Sequence, residues 1–252
     1  MLGINHLLMT ATTPVGAADP YWSSTVLLLQ NFGTAGTTSF VDLTGRHSPT
    51  TLSGSYAGTS YTAAASAGNP HFDSTSLLIG NTLFPQQNND AGLDLGSSSD
   101  WSFGTGDFTI ESFISIRGSN GSWQIYSSSQ LQILFDGRTT GGSTTGLSFF
   151  VDGGQYQQYT NGFRAFGGTV STDTWNHVAW SRTSGVTNFY LNGTFVSNLT
   201  DTINYSDGVL RIGVGWNRNN GFQGYMDMIR ITKGVGRYTT NFTLPTVDYP
   251  TH

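Results

Sequence analysis

The chain has 252 residues, a net charge of −5, no cysteine and only 10% charged residues, against about 25% in an average globular protein. The missing cysteines exclude disulfides, thiol catalysis and cysteine-based zinc sites. One lysine, Lys233, and no basic block exclude a nucleic-acid partner, and no apolar run reaches the roughly 18 residues of a membrane span.

Residues 1–20 read as an N-terminal extension that ends at the turn signal Asp19-Pro20. It lacks the basic start of a signal peptide, since the first Lys or Arg is Arg46. The expectation is an arm that docks on a neighbouring chain, followed by one domain over 21–252. Within it, 26–29 reads as a strand buried on both faces, and 72–79 and 83–84 as weaker strands. Over 108–117, Phe108, Ile110, Ile114 and Ile116 alternate with Thr109, Glu111, Ser115 and Arg117, the period of a strand. Further short apolar runs follow at 125–126, 131–135 and 147–151, and 139–145 (TTGGSTT) reads as a flexible surface loop.

A strand over 175–182 turns at Ser184-Gly185 into a second over 187–191. Asn192-Gly193 is a strong hairpin signal, because both residues tolerate positive φ. Leu210, Ile212, Val214 and Trp216 alternate with Arg211 and glycines. Tyr225, Ile229 and Ile231 alternate with Met226, Met228 and Arg230. No stretch keeps a 3.6-residue period, so the expected fold class is all-β, an antiparallel sandwich or jelly roll.

Three blocks carry a family resemblance: Gly-Asp-Phe-Thr-Ile-Glu at 106–111, the Trp-x-His-Val-Ala strand with its Leu-Asn-Gly hairpin within 174–196, and Gly-Tyr-Met-Asp-Met-Ile-Arg-Ile at 224–231. Together they resemble laminin G-like domains of the concanavalin A-like lectin and glucanase superfamily. The extension through 245, KGVGRYTTNFTLP, resembles the version found in tailed-phage structural proteins. The resemblance implies calcium near the end of the sandwich, with Asp227 at a ligand position; Asp73, in the opening half, is the candidate to join it, and where family members place another Asp, this chain has Met228. The alternative for Asp227 is a hydrogen bond to Arg230 or to a backbone amide.

Glycoside hydrolysis needs two carboxyl groups about 5–9.5 Å apart, and the superfamily's glucanases place them at alternate positions of one strand. Here Glu111 is the one glutamate and no two aspartates are spaced i, i+2. Glu111 reads as a surface or paired residue, His177 as a packed core residue, and no catalytic residue is expected. For sugar binding, Tyr156, Tyr159, Phe163 and Phe166 among glycines suggest a projecting aromatic loop, and Trp216, Asn217 and Arg218 a polar loop around an indole. The same aromatics would equally suit a subunit interface.

These readings lead to an expected non-enzymatic virion surface protein of a tailed phage, a capsid decoration or fibre subunit. Its partners would be capsid or fibre chains in a homo-oligomer, a trimer foremost, with a host glycan as a further contact. The alternative is a secreted or cell-surface carbohydrate-binding module that uses calcium.

Overall fold

The computed structural model describes residues 18–56, 59–80, 90–117, 131–160 and 162–252, excepting the side chains of 56, 59 and 163–165. Most of the expected arm, the runs 83–84 and 125–126, and the Phe163 side chain therefore lie outside the described residues. The rest is an all-β antiparallel sandwich of two eight-stranded sheets. Two 3-10 turns are the only helical elements among the described residues, where no helix is long and apolar enough to cross a membrane.

In chain order the strands are β1 (Thr25–Leu29), β2 (Thr50–Tyr56), β3 (Thr59–Thr62), β4 (Ala64–Ser66), β5 (Ser76–Ile79), β6 (Gly92–Ser97), β7 (Phe108–Ile116) and β8 (Gln132–Asp136). They continue as β9 (Ser148–Asp152), β10 (Gln155–Tyr159), β11 (Phe163–Thr169), β12 (Asn176–Thr183), β13 (Val186–Leu191), β14 (Thr194–Thr200), β15 (Val209–Ile212) and β16 (Gly224–Lys233). The first sheet runs β14-β13-β12-β7-β16-β5-β4, with β1 also paired to β16. The second runs β11-β10-β9-β8-β15-β6-β2-β3. At the β13–β14 hairpin, Asn192 and Gly193 take φ 52° and 74°, the left-handed values that a two-residue type I′ turn requires.

The inner faces enclose one apolar core. Trp180 of β12 stacks on Phe149 of β9, ring centroids 4.2 Å apart, and Phe189 lies against Trp180 at 5.2 Å. In β16 the pairing with β7 shifts register between Asp227 and Arg230, a β-bulge with Met228 at φ 48°. The bulge corrects the simple alternation expected there. Met226 points into the core with Ile229 and Ile231, whereas Met228 joins a separate cluster on the outer face.

That outer face is not solvated. All nine residues of β7 are buried, the polar ones included. The tail, residues 234–252, crosses the sheet without forming a strand. Tyr238 stacks on Phe242 at 3.6 Å, the Phe242 amide donates to the Gly193 carbonyl, and Tyr249 exchanges two hydrogen bonds with the Gln30 side chain. Leu28, Phe113, Met228 and Tyr249 form a small second core beneath it.

The tail seals in an ionic network. Glu111, fully buried, receives Arg230 Nε at 2.8 Å on Oε1, and the hydroxyls of Tyr238 (2.7 Å) and Tyr249 (3.0 Å) on Oε2. His177 Nε2 lies 3.2 Å from the same Oε2. Burial alone would raise the Glu111 pKa, but Arg230 and His177 hold it well below the carboxylate range. Glu111 is thus paired and interior, and His177 is the core residue expected. Asp19 receives Arg237 in a two-bond fork of 2.9 and 2.7 Å, and its amide donates to the carbonyl of His252. Asp19, at the end of the expected arm, is thus fastened to the tail.

Candidate functional site

The outer face of the second sheet carries an open cleft of about 280 Å³, lined among others by Arg138, Phe150, Tyr159, Trp216, Asn217 and Asn220. Two of the expected aromatic groups converge here, from β10 and from the loop 213–221. Tyr159 and Trp216 are half-buried, and Asn217 is exposed. The Arg138 guanidinium lies 5.0 Å from the Tyr159 ring centroid.

One residue fastens both walls. Asp136, fully buried at the end of β8, accepts the Trp216 amide at 2.8 Å on Oδ2. It also holds Arg138, through Nε at 2.8 Å on Oδ1 and Nη2 at 2.8 Å on Oδ2. Sequence reasoning passed over Asp136, because Asp-Gly-Arg after a strand reads as a simple turn.

The indole loop is built before any ligand arrives. Gly215 and Asn219 close it with an amide–carbonyl bond of 3.0 Å, and the Ile133 amide donates to the Asn220 carbonyl at 2.8 Å. Beneath it Asp90 accepts the Gly221 amide at 2.7 Å and the Tyr61 hydroxyl at 3.2 Å. Burial pushes the Asp90 pKa up to about 6 against the opposing hydrogen bonds and Arg218. The loop 139–145, expected to be flexible, is gathered onto Asp207, which accepts Thr139 N–H and the hydroxyls of Thr139, Ser143 and Thr145. These donors outweigh burial and lower the Asp207 pKa.

Other expected site residues lie elsewhere. Tyr156 and Phe166 are core side chains, 5.1 and 5.5 Å from the Phe189 ring, and cannot serve as exposed platforms. The glycines that suggested a projecting loop make the β9–β10 turn (Gly153, Gly154) and an irregular pairing of β10 with β11 (Gly167), all at positive φ. Arg218 points away from the cleft and donates to the backbone carbonyls of Ser53 and Asp90, bracing the loop on β2.

Asp227 sits at the β16 bulge, 1% exposed, with Oδ1 on the Met228 amide at 2.7 Å. Its partner is thus a backbone amide and not Arg230. Asp227 Oδ2, Asp73 Oδ2 and Asp248 Oδ1 are buried without a hydrogen bond. Burial, then the nearby Asp248 and Asp73 carboxylates, raise the Asp227 pKa to about 7. Donor-poor carboxylate oxygens of this kind fit a hard cation. Among the described residues, however, no three His, Asp or Glu side chains form a metal-holding group, so carbonyls or water would have to complete a shell.

A family profile described as the concanavalin A-like lectin/glucanases superfamily matches residues 86–235. The chain belongs to that superfamily. Among curated proteins none matches the sequence. Similar solved structures include domain 4 of AbnA, a GH43 extracellular arabinanase from Geobacillus stearothermophilus, in complex with arabinotriose. That likeness has 15% identity and TM-score 0.58, covering 84% of this chain and 93% of that one. The binding domain of Paraclostridial Mosquitocidal Protein 1 follows at 13% identity and TM-score 0.62, covering 85% of this chain and 50% of that one. The binding domain of Botulinum Neurotoxin DC, in complex with SialylT, shares 14% identity at TM-score 0.55, covering 85% of this chain and 49% of that one. The chain therefore spans about half the length of the two toxin binding domains. At these identities the likeness shows the fold.

Proposed function

We propose that the protein is a secreted or cell-surface carbohydrate-binding module that holds a glycan in the Tyr159–Trp216 cleft without cleaving it. The observation that carries this reading is the meeting of two aromatic side chains with Asn217 and Asn220 in a braced, solvent-open cleft. Aromatic faces pack on the C–H surface of a sugar while amide groups read its hydroxyls. The described lining contains no Asp or Glu, and Glu111 is committed to Arg230 beneath the tail, which together favour binding over hydrolysis. The neighbouring structures, a domain of an extracellular glycosidase and toxin binding domains with glycans named for two of the three, agree with this reading.

The virion expectation, with capsid or fibre partners and a trimer, drew on the tail motif. In the fold that motif is used within the domain, on Tyr190 and Glu111, so it supports the domain's integrity more than a virion setting. The test is a multivalent glycan array followed by calorimetry with the best ligand. Trp216→Ala should weaken binding at least about tenfold, the scale of a lost aromatic anchor, while the melting temperature stays within about 2 °C. Unchanged affinity would remove the cleft from the proposal.

Calcium belongs to the same reading. Asp227 and Asp73 would hold the ion together with backbone carbonyls or water, and the ion would neutralise the Asp227 carboxylate that burial otherwise forces toward protonation. A melting temperature raised by calcium and lowered by chelator, and insensitive to both in Asp227→Asn, is the expected outcome. Identical melts with calcium and chelator would discard the ion.

A further inference from the structure

We infer that the cleft selects neutral glycans and discriminates against acidic ones. The inference rests on the carbohydrate reading above and concerns the chemistry of its ligand. Recognition of a sugar carboxylate or sulfate is strongest where an arginine presents two parallel N–H groups to the anion. Arg138 is the one charged side chain among the described residues lining the cleft. Its Nε and Nη2 are already taken up by Asp136, each at 2.8 Å. The charge is cancelled by a carboxylate that is itself fully buried.

On the side of the loop 139–145 a carboxylate adds negative charge. Asp207, whose oxygens gather the loop 139–145 on the same side, keeps its proton off through four hydrogen-bond donors. Five other arginines with described side chains have partners of their own. Arg211 pairs with Asp94, Arg218 with two carbonyls, Arg46 with Asp100, Arg230 with Glu111 and Arg237 with Asp19. What the cleft lining holds besides is the Trp216 indole, the Tyr159 ring beside Arg138 and the amides of Asn217 and Asn220, chemistry suited to uncharged hydroxyls.

The experiment uses the full chain, displayed multivalently, on an array of matched pairs: neutral oligosaccharides and the same structures capped with sialic acid, a uronate or sulfate. Neutral members should bind and their acidic counterparts should bind at least about fivefold more weakly. The affinity of a neutral hit should change by less than about twofold between 50 and 500 mM NaCl, since no ligand charge is there to be screened. Acidic hits that Trp216→Ala abolishes would overturn the neutral class while leaving the cleft as the site. Hits of either class that Trp216→Ala leaves intact would overturn the cleft itself, and silence across both classes would overturn both readings.

Discussion

The two outer faces of the sandwich begin from similar strands and end differently. On the first sheet, the chain's own tail covers the outer face, and Glu111, Arg230 and His177 are sealed beneath Tyr238 and Tyr249. On the second sheet a cleft stays open, with the Arg138–Asp136 pair fixed at its edge. Polar residues buried on one face build the fold. Trp216 and Asn217 on the other keep contact with the solvent-open cleft. The presence of charge on a strand therefore says little about function until its cover is known.

The largest effect should come from breaking the covered face. Arg230→Met strands the Glu111 carboxylate in the interior, and urea unfolding should show a loss of roughly 3–5 kcal/mol. The double variant Glu111→Leu with Arg230→Met should recover much of it, because the uncompensated charge is gone. Neither variant should alter the geometry of the cleft, so affinity for a glycan measured well below the melting temperature should be kept. A loss of affinity in the stable double variant would show that the two faces are coupled.

On the open face the order reverses. Asp136→Ala releases the Trp216 amide and Arg138 together, and calorimetry should find affinity reduced more than tenfold. Unfolding should report a cost of about 1–3 kcal/mol for the buried donors left without a partner. Affinity unchanged in this variant would mean that the cleft walls hold themselves.

A smaller effect separates the two kinds of carboxylate by pH. Asp227 and Asp90 have pKa values raised to about 7 and about 6, so the folded chain binds their protons more tightly than the unfolded chain does. Their contribution favours folding at low pH and is lost as pH rises through 6 and 7. Glu111, Asp19 and Asp100 have lowered values, and their contribution is lost as pH falls below about 4. In chelator, stability should climb from pH 8 to about 5 and then fall. Asp227→Asn should flatten the upper limb and leave the acid limb unchanged.

The sandwich was legible in the chain because period-two patterns and turn residues are local. The strand over Phe108–Ile116 and the Asn192-Gly193 hairpin appear where the sequence places them. The site was legible in part. Trp216, Asn217 and Tyr159 do line one cleft, but Tyr156 and Phe166 belong to the core. Glycines around an aromatic look alike whether they make a projecting loop or a hairpin turn and a bulge. The Asp227–Met228 bulge moved Met226 inward by the same kind of one-residue shift, which no periodicity records.

By itself the sequence determined an all-β chain without disulfides, with few charges, and with the closing-strand and hairpin motifs of its superfamily, because those properties reside in composition and in neighbouring residues. Only the tertiary structure decided that the tail would roof Glu111, that Asp136 would reach an amide 80 residues away to set the cleft, and that Arg218 would turn its back on it. Such contacts depend on which distant segments the two sheets bring side by side, and burial, which sets the fate of each charge, exists only once they have done so.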